Sequence, residues 1–305
     1  MPLTGSARSH DYTDDLRLAH VLADDADSLS TSRFKALDLH VVNKPDLTPV
    51  TDADKSVEEG IRRTLSRARP RDAVLGEETG STGHSQRRWV VDPIDGTKNY
   101  VRGVPVWATL IALMVDDEVV VGCVSAPMLQ RRWWASKGGG AWTGRSLLKA
   151  SECHVSDVSR LDDASLSYSS FSGWDERDRL DAFLALSRRC WRTRAYGDFW
   201  SYMLLAEGAV DLAAEPELEL YDMAALEVIV REAGGSFTSL DGRPGPHGGN
   251  ALASNGRLHE QALAFLGALA DDEDDPDVAP PRRPGSVHDL SAHRRAQERP
   301  DFGEE

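Results

Sequence analysis

The segment Trp89-Val90-Val91-Asp92-Pro93-Ile94-Asp95-Gly96-Thr97 constrains the fold more than any other part of the chain. Its apolar start, Trp89 to Val91, reads as a short buried strand, and Pro93 stops it. Two carboxylates three residues apart stand at its end, followed by a glycine and a threonine where a helix can begin. Carboxylates at the carboxyl end of a strand lie where ligands bind in layered α/β proteins. Two of them close together repel unless a cation lies between, and a hard divalent ion such as Mg²⁺ prefers such oxygen donors. Taken alone, the segment also reads as a turn in which Asp95 caps the next helix.

The flanking pattern predicts alternating helices and strands. Leu16, Leu18, Ala19, Val21, Leu22, Ala26 and Leu29 suit an amphipathic helix within Asp14 to Phe34, and Asp54 to Arg67 reads as a second. Ala73-Val74-Leu75 is a short strand running into Gly76-Glu77-Glu78. Trp107 to Val115 and Val119 to Ser125 read as strands paired across the Asp116-Asp117-Glu118 turn, extended by Arg131 to Ala135 and Gly140 to Thr143. Gly138-Gly139-Gly140 reads as a tight turn rather than a phosphate loop, since neither Lys-Ser nor Lys-Thr follows. Beyond a polar connection at Ser151 to Asp163, strand and helix patterns alternate through Ala164–Ser169, Arg177–Arg189, Trp191–Ala195, Asp198–Glu207, Val210–Ala214 and Asp222–Ala233. The prediction is an α/β layered domain over residues 11–270, built of two halves meeting near residue 150. Residues 1–10 read as a flexible start. The acidic, Pro-rich residues 271–305 read as a disordered tail that turnover does not need.

Bulk properties narrow the function. The net charge of −15 argues against a nucleic-acid partner, because such binders usually carry a basic face. Residues 271–305 hold 11 Asp and Glu against 5 Arg, so −9 remains on the other 270 residues. An enzyme of this charge that handles phosphate needs local neutralisation, which bound metal supplies. No apolar run reaches the roughly 18 residues of a membrane span, and the polar start lacks the apolar core of a secretion signal, so a soluble cytoplasmic protein is expected. Cys123, Cys153 and Cys190 are too scattered for a disulfide framework or a zinc site. Trp133, Trp134 and Trp142 read as core or interface residues, His84 as exposed, and Thr79 to Gln86 as a mobile cover near the acidic motifs.

Four acidic segments share a setting: Lys44 to Asp54 before a helix, Gly76-Glu77-Glu78 after a strand, Asp92 with Asp95, and Tyr221-Asp222-Met223-Ala224-Ala225 opening a helix that ends at Glu232-Ala233-Gly234-Gly235. Asp52 and Asp222 also suit plain helix capping, and capping is compatible with holding a ligand. In order and spacing, these motifs resemble the inositol monophosphatase family over about Asp11 to Leu269, with Tyr221 where the family usually has Trp. The resemblance implies the family's αβαβα sandwich, a homodimer, and a phosphomonoesterase using two or three Mg²⁺ per site, with Mn²⁺ as a substitute. It implies metal ligation by Glu77, Asp92, the Ile94 carbonyl, Asp95 and Asp222, with Glu78 at a more weakly held ion. Asp52 and Thr97, together with Glu77, fall to activation of the attacking water. Asp95, Gly96, Thr97 and Lys98 form the phosphate turn. With no nucleophile motif for a covalent route, attack by metal-activated water is expected.

Within the family the chain is most similar to the bacterial histidinol-phosphate phosphatases of actinobacterial type. Lys44 to Asp54, Asn99 to Trp107, Gln130 to Trp134 and Arg194 to Trp200 carry that likeness. Arg194, Asp198, Glu215 and Asp222 are then the substrate contacts. A substrate bearing an ammonium and an imidazole suits Asp198 and Glu215 through charge-assisted hydrogen bonds. Otherwise Asp198 caps its helix, Glu215 is a solvated loop residue, and Arg194 reaches a neighbouring subunit or pairs with a surface acid. The rival substrates are inositol 1-phosphate, then nucleotide 3′-phosphates and fructose bisphosphate. A catalytically silent scaffold would have no need of the full acidic set.

Overall fold

The computed structural model describes residues 11–43 and 49–267. The predicted flexible start, the acidic tail and residues 44–48 of the Lys44 to Asp54 segment lie outside the described residues.

The long first helix, α1 (Thr13–Arg33), leads through β1 (Val41–Asn43) and β2 (Pro49–Thr51), a small antiparallel ribbon, into α2 (Asp52–Ala68). Thr51 starts α2 with a capping box: its hydroxyl accepts from the Asp54 N–H, and the Asp54 carboxylate accepts from the Thr51 N–H. Ala53, Val57, Ile61 and Leu65 recur at helical spacing and are all buried, which explains which face of α2 turns inward.

Among the described residues the first sheet comprises β3 (Ala73–Gly76), β4 (Gly80–Thr82), β5 (Arg87–Asp95), β6 (Ala108–Val115), β7 (Glu118–Ala126), β8 (Arg131–Ser136), β9 (Ala141–Ser146) and β10 (Lys149–Glu152), with α3 (Thr97–Arg102) between β5 and β6. Their order is β10-β9-β8-β7-β6-β5-β3-β4, with β3 and β5 parallel and the other pairs antiparallel. The stretch Thr79 to Gln86 is therefore no plain loop: it contains β4, which pairs with β3 and ties that segment to the sheet. The glycine turn at 138–140 wraps an acid, since the Gly138 and Gly140 N–H groups both donate to the Glu232 carboxylate.

The second sheet is smaller. It holds β11 (Ser165–Ser167), β12 (Arg192–Arg194), β13 (Leu212–Glu215), β14 (Ser236–Thr238) and β15 (Ala251–Ser254), in the order β12-β11-β13-β15-β14. Helices α4 (Phe171–Glu176), α5 (Leu180–Arg189), α6 (Asp198–Ala206), α7 (Leu220–Glu232) and α8 (His259–Leu266) connect it.

Three apolar cores show the layering. Leu22, Ala26, Val57 and Ile61 of α1 and α2 pack on Trp89, Val91, Ile111 and Trp134 of the first sheet. The opposite face of that sheet, with Val90, Leu110 and Trp133, meets Tyr202, Met203, Ala225 and Ile229 of α6 and α7, which also cover Ala213 and Ala253 of the second sheet. Leu166, Leu212 and Leu252 on the far side of the second sheet pack against Phe183, Leu186 and Leu266 of α5 and α8. Helices, sheet, helices, sheet, helices: the expected αβαβα sandwich is the fold. Near-continuous apolar runs such as Ala108–Val115 follow from a sheet covered on both faces.

Trp133 and Trp134 are buried in two of these cores, on opposite faces of β8, while Trp142 of β9 is half-buried against the core that holds Trp134. Cys123 and Cys153 are buried, Cys190 is half-buried, and none is in a disulfide. His84 is exposed. No helix among the described residues is long and apolar enough to cross a membrane.

Candidate active site

Side chains alternate faces along a regular strand, so Asp92 and Asp95, three apart, should point to opposite sides of the sheet. They do not. Asp92 pairs with Leu110 of β6 and Asp95 with Ala108, so three steps on β5 oppose two on β6. The extra residue is a β-bulge at Pro93-Ile94, which re-aims the strand end. Thr109 Oγ1 fastens it by donating to the Pro93 carbonyl at 2.8 Å, and the Ile94 N–H donates to Asp92 Oδ1 at 3.0 Å. As a result Asp92, Asp95 and Asp222 each turn one carboxylate oxygen into a common space, with those atoms within 4.8 Å of one another.

Asp222 comes from the other half of the chain. It is the third residue of α7 and its Oδ2 accepts from the Glu219 N–H at 2.8 Å, so it caps the helix and faces the cluster at once. The capping alternative for Asp95 does not hold, because Gly96 is the residue that starts α3, with φ of +84°. A side chain there would strain the backbone and put its Cβ 3.2 Å from both Asp198 Oδ2 and the Val106 carbonyl. Asp95 Oδ2 instead accepts from the Phe199 N–H at 2.6 Å, at the start of α6.

The electrostatics mark the cluster as a charge trap. Burial, then the charges of Glu77, Asp95 and Asp222, push the Asp92 carboxyl well above the usual range. Burial and then Asp198 and Asp222 do the same to Asp95, and burial brings Asp222 up to about 7. Such a group of acids is costly without counter-charge. Oxygen donors alone, gathered at one point, fit a hard divalent cation. Glu77 follows β3, its N–H donating to the Val91 carbonyl at 3.2 Å, which sets it beside the end of β5.

The structure separates Asp52 from this site. Its carboxylate accepts from Arg33 at 2.7 Å and from the His40 N–H at 3.2 Å, and its side chain is 39 % exposed. Asp54 faces inward in its place: 1 % exposed, with Oδ2 taken by Thr51 and Oδ1 standing 3.4 Å from Thr97 Oγ1. Thr97 also donates to the Ile94 carbonyl at 2.9 Å. Burial raises the Asp54 carboxyl to about 6 against the pull of its Thr51 hydrogen bonds. The acid partner of Thr97 is therefore Asp54, and the expectation for Asp52 is corrected. Successive acids on a helix diverge, and residues two apart point about 200° from each other. The buried stripe Asp54, Val57, Ile61, Leu65 carried this signal in the sequence.

Glu215 is no solvated loop residue but the last residue of β13, 8 % exposed. Its Oε2 accepts from Ser169 Oγ at 2.7 Å, and the same Ser169 oxygen accepts from the Asp198 N–H at 3.1 Å. Sequence reasoning missed Ser169, which has no motif around it. Tyr202 is fully buried, and its hydroxyl works against the burial-driven rise of the Glu215 carboxyl. Burial lifts Glu215 to about 8. Asp198 adopts φ of +49°, uncommon for a residue with a side chain, and accepts from Asn99 Nδ2 at 3.2 Å. Burial raises its carboxyl and the Lys98 charge opposes that shift. Lys98 is exposed in the helical turn that follows Asp95. Arg194 is exposed too, donating to the carbonyl of its neighbour Thr193, and it is not brought into this group.

Known proteins share this arrangement of elements. The model of the inositol monophosphatase family matches residues 13–270. A protein named histidinol-phosphatase from Streptomyces coelicolor is 68 % identical over 260 residues, covering 84 % of this chain and 98 % of its own. One of the same name from Mycobacterium tuberculosis is 59 % identical over 256 residues, with the same coverage of each chain. The solved structure of an inositol monophosphatase from Zymomonas mobilis superposes with a TM-score of 0.75 at 34 % identity, covering 85 % of this chain and all of that one. With the fold, the ordered acidic motifs and these likenesses agreeing, the chain belongs to the inositol monophosphatase family.

Proposed function

We propose that this chain is a divalent-metal-dependent phosphomonoesterase that hydrolyses histidinol phosphate to histidinol and phosphate. The observation carrying the chemistry is the convergence of Asp92, Asp95 and Asp222 at the end of β5. The substrate rests on the two relatives named histidinol-phosphatase and on the acidic pair Asp198 and Glu215.

Glu77, Asp92, the Ile94 carbonyl, Asp95 and Asp222 would hold two or three Mg²⁺, for which Mn²⁺ substitutes. When bound, such ions neutralise the phosphate and acidify a coordinated water. The chain's own part begins at Thr97. Its hydroxyl can swing from the Ile94 carbonyl to Asp54 Oδ1, leaving a lone pair to orient the incoming water and a route for its proton to Asp54. The phosphate seats on the turn from Asp95 to Lys98, where Lys98 adds positive charge. At the other end, Asp198 and Glu215 receive the ammonium and imidazole, and the positive charges offset the cost of ionising buried acids. The resemblance to the family adds a homodimer to this reading, which sedimentation would test.

The test is phosphate release from histidinol phosphate and inositol 1-phosphate side by side, with Mg²⁺ and with EDTA. A Mg²⁺-dependent preference for histidinol phosphate is expected. Preference for the inositol ester would keep the chemistry and overturn the substrate; no release from either would overturn both.

A further inference from the structure

Helix α2 turns a second carboxylate inward. Glu58 lies one turn beyond Asp54 on the same face and is 1 % exposed. A carboxylate buried that deeply is unfavourable unless donors surround it. Glu58 finds most of them on the turn that carries Glu77. Its Oε2 accepts from the Glu78 N–H at 2.7 Å, and its Oε1 accepts from the Thr79 N–H at 3.2 Å and from the Thr79 hydroxyl. Arg62, one turn further along α2, donates its Nε to Oε1 at 2.7 Å. The rest of that guanidinium holds the start of β4, through the Gly80 carbonyl at 2.5 Å and the Thr82 hydroxyl at 2.8 Å.

Gly76 completes the arrangement from the other side. A Cβ at that position would lie 2.3 Å from Cδ of Glu58, so the carboxylate packs directly on the strand backbone. Glu77 is thus bracketed by Gly76 and Glu78, both fixed by one buried acid. Its own carboxyl is near enough to Asp92 to raise that group's pKa. A mere helix brace would need the ion pair with Arg62 alone. The backbone amides that Glu58 captures belong to another element, and they are the ones next to Glu77.

We infer that Glu58 is a positioning residue for the metal centre: it clamps the turn from Gly76 to Thr79 so that Glu77 is held toward Asp92, and thereby sets the affinity for divalent cations. The inference rests on the metal reading of Glu77, Asp92, Asp95 and Asp222. Glu58 touches neither cation nor substrate.

Calorimetric titration of Mn²⁺ into the full-length, metal-free chain tests it, using wild type, Glu58→Gln, Asp92→Asn and Leu65→Ala. Gln keeps the shape but turns an amide donor against donors already present. Supporting contacts behind metal ligands are typically worth about 10–100-fold in metal affinity, and Glu58→Gln should raise the Mn²⁺ dissociation constant within that range. At saturating Mg²⁺ the same variant should recover most of its turnover, because the effect lies in loading the site. Leu65→Ala, a buried change on the same helix, controls for general loosening and should leave the affinity near wild type. Loss in Asp92→Asn with wild-type affinity in Glu58→Gln overturns the inference alone. Equal loss in Glu58→Gln and Leu65→Ala also overturns it, since helix packing then explains the effect. Wild-type affinity in Asp92→Asn removes the metal reading and this inference with it. Should Glu58→Gln fail to fold, Gly76→Ala displaces the same carboxylate from the strand side; weakened Mn²⁺ binding there supports the clamp and unchanged binding overturns it.

Discussion

Asp54 Oδ1 stands 3.4 Å from Thr97 Oγ1, while Asp52, two residues earlier, is bound to Arg33 on the outside of the same helix. The two acids therefore part company chemically. Asp54→Asn should lower kcat by about 10²–10⁴-fold, the usual contribution of a positioned acid or base. Asp52→Asn should leave kcat nearly unchanged. Steady-state kinetics on both variants at saturating Mg²⁺ decide it, and the opposite ranking would return the role to Asp52.

Asp92 is 2 % exposed and surrounded by three other acids. Asp92→Asn removes one negative ligand from the cluster, so activity should fall by orders of magnitude and Mg²⁺ should bind far more weakly. The fold should survive, because the same change relieves repulsion in the metal-free protein. A Mg²⁺ titration of activity beside a circular-dichroism melt measures both. Near-normal turnover with ordinary Mg²⁺ dependence would sink the assignment.

Asp198 and Glu215 are joined through Ser169 and face the substrate's far end in the proposed reading. A hydrogen bond to a charged group is worth about 1.5–3 kcal/mol, or roughly 10–100-fold in KM. Asp198→Asn should raise KM for histidinol phosphate by that amount and affect a neutral phosphate ester much less. Parallel kinetics on the two esters give the comparison. An equal loss on both would refute recognition of the cationic end.

The pH dependence of stability follows from raised carboxyls. Burial puts Asp54 at about 6, Asp222 at about 7 and Glu215 at about 8 in the folded chain, all above the values of an unfolded one. The folded state thus holds protons more tightly, and their contribution to stability is complete below the unfolded values and lost as pH rises through about 6 to 8. Metal-free protein should melt at a lower temperature at pH 8.5 than at pH 5.5. Mg²⁺ held by Asp222 and its neighbours competes with the Asp222 proton, so the rise in Tm that it produces should grow as pH passes about 7. Scanning calorimetry with EDTA and with Mg²⁺ at several pH values checks both; a metal-free Tm that climbs with pH would contradict the electrostatics described above.

Much of this was legible in the residues because it depends on short-range order. The apolar run ahead of Asp92, the stop at Pro93 and the helical stripe of α2 are local patterns, and local patterns survive folding when packing agrees with them. The ordered acidic motifs likewise singled out Asp92, Asp95 and Asp222, which the fold gathers at one point. What spacing could not give was direction. Counted along a strand, Asp92 and Asp95 face apart; the pairing of β5 with β6 inserts the bulge that turns them together. Counted along the chain, Asp52 and Asp54 are equivalent acids before a helix; the packing of α2 against the sheet buries one and leaves the other to Arg33. Asn99 reaching Asp198, and the Phe199 amide reaching Asp95, span about a hundred residues, and no local signal encodes such a meeting. Residue order set which side chains were available and on which elements they rode. Which carboxylates converge followed from packing, because side-chain direction depends on strand register and on the face a helix buries, and both are settled by contacts between distant segments.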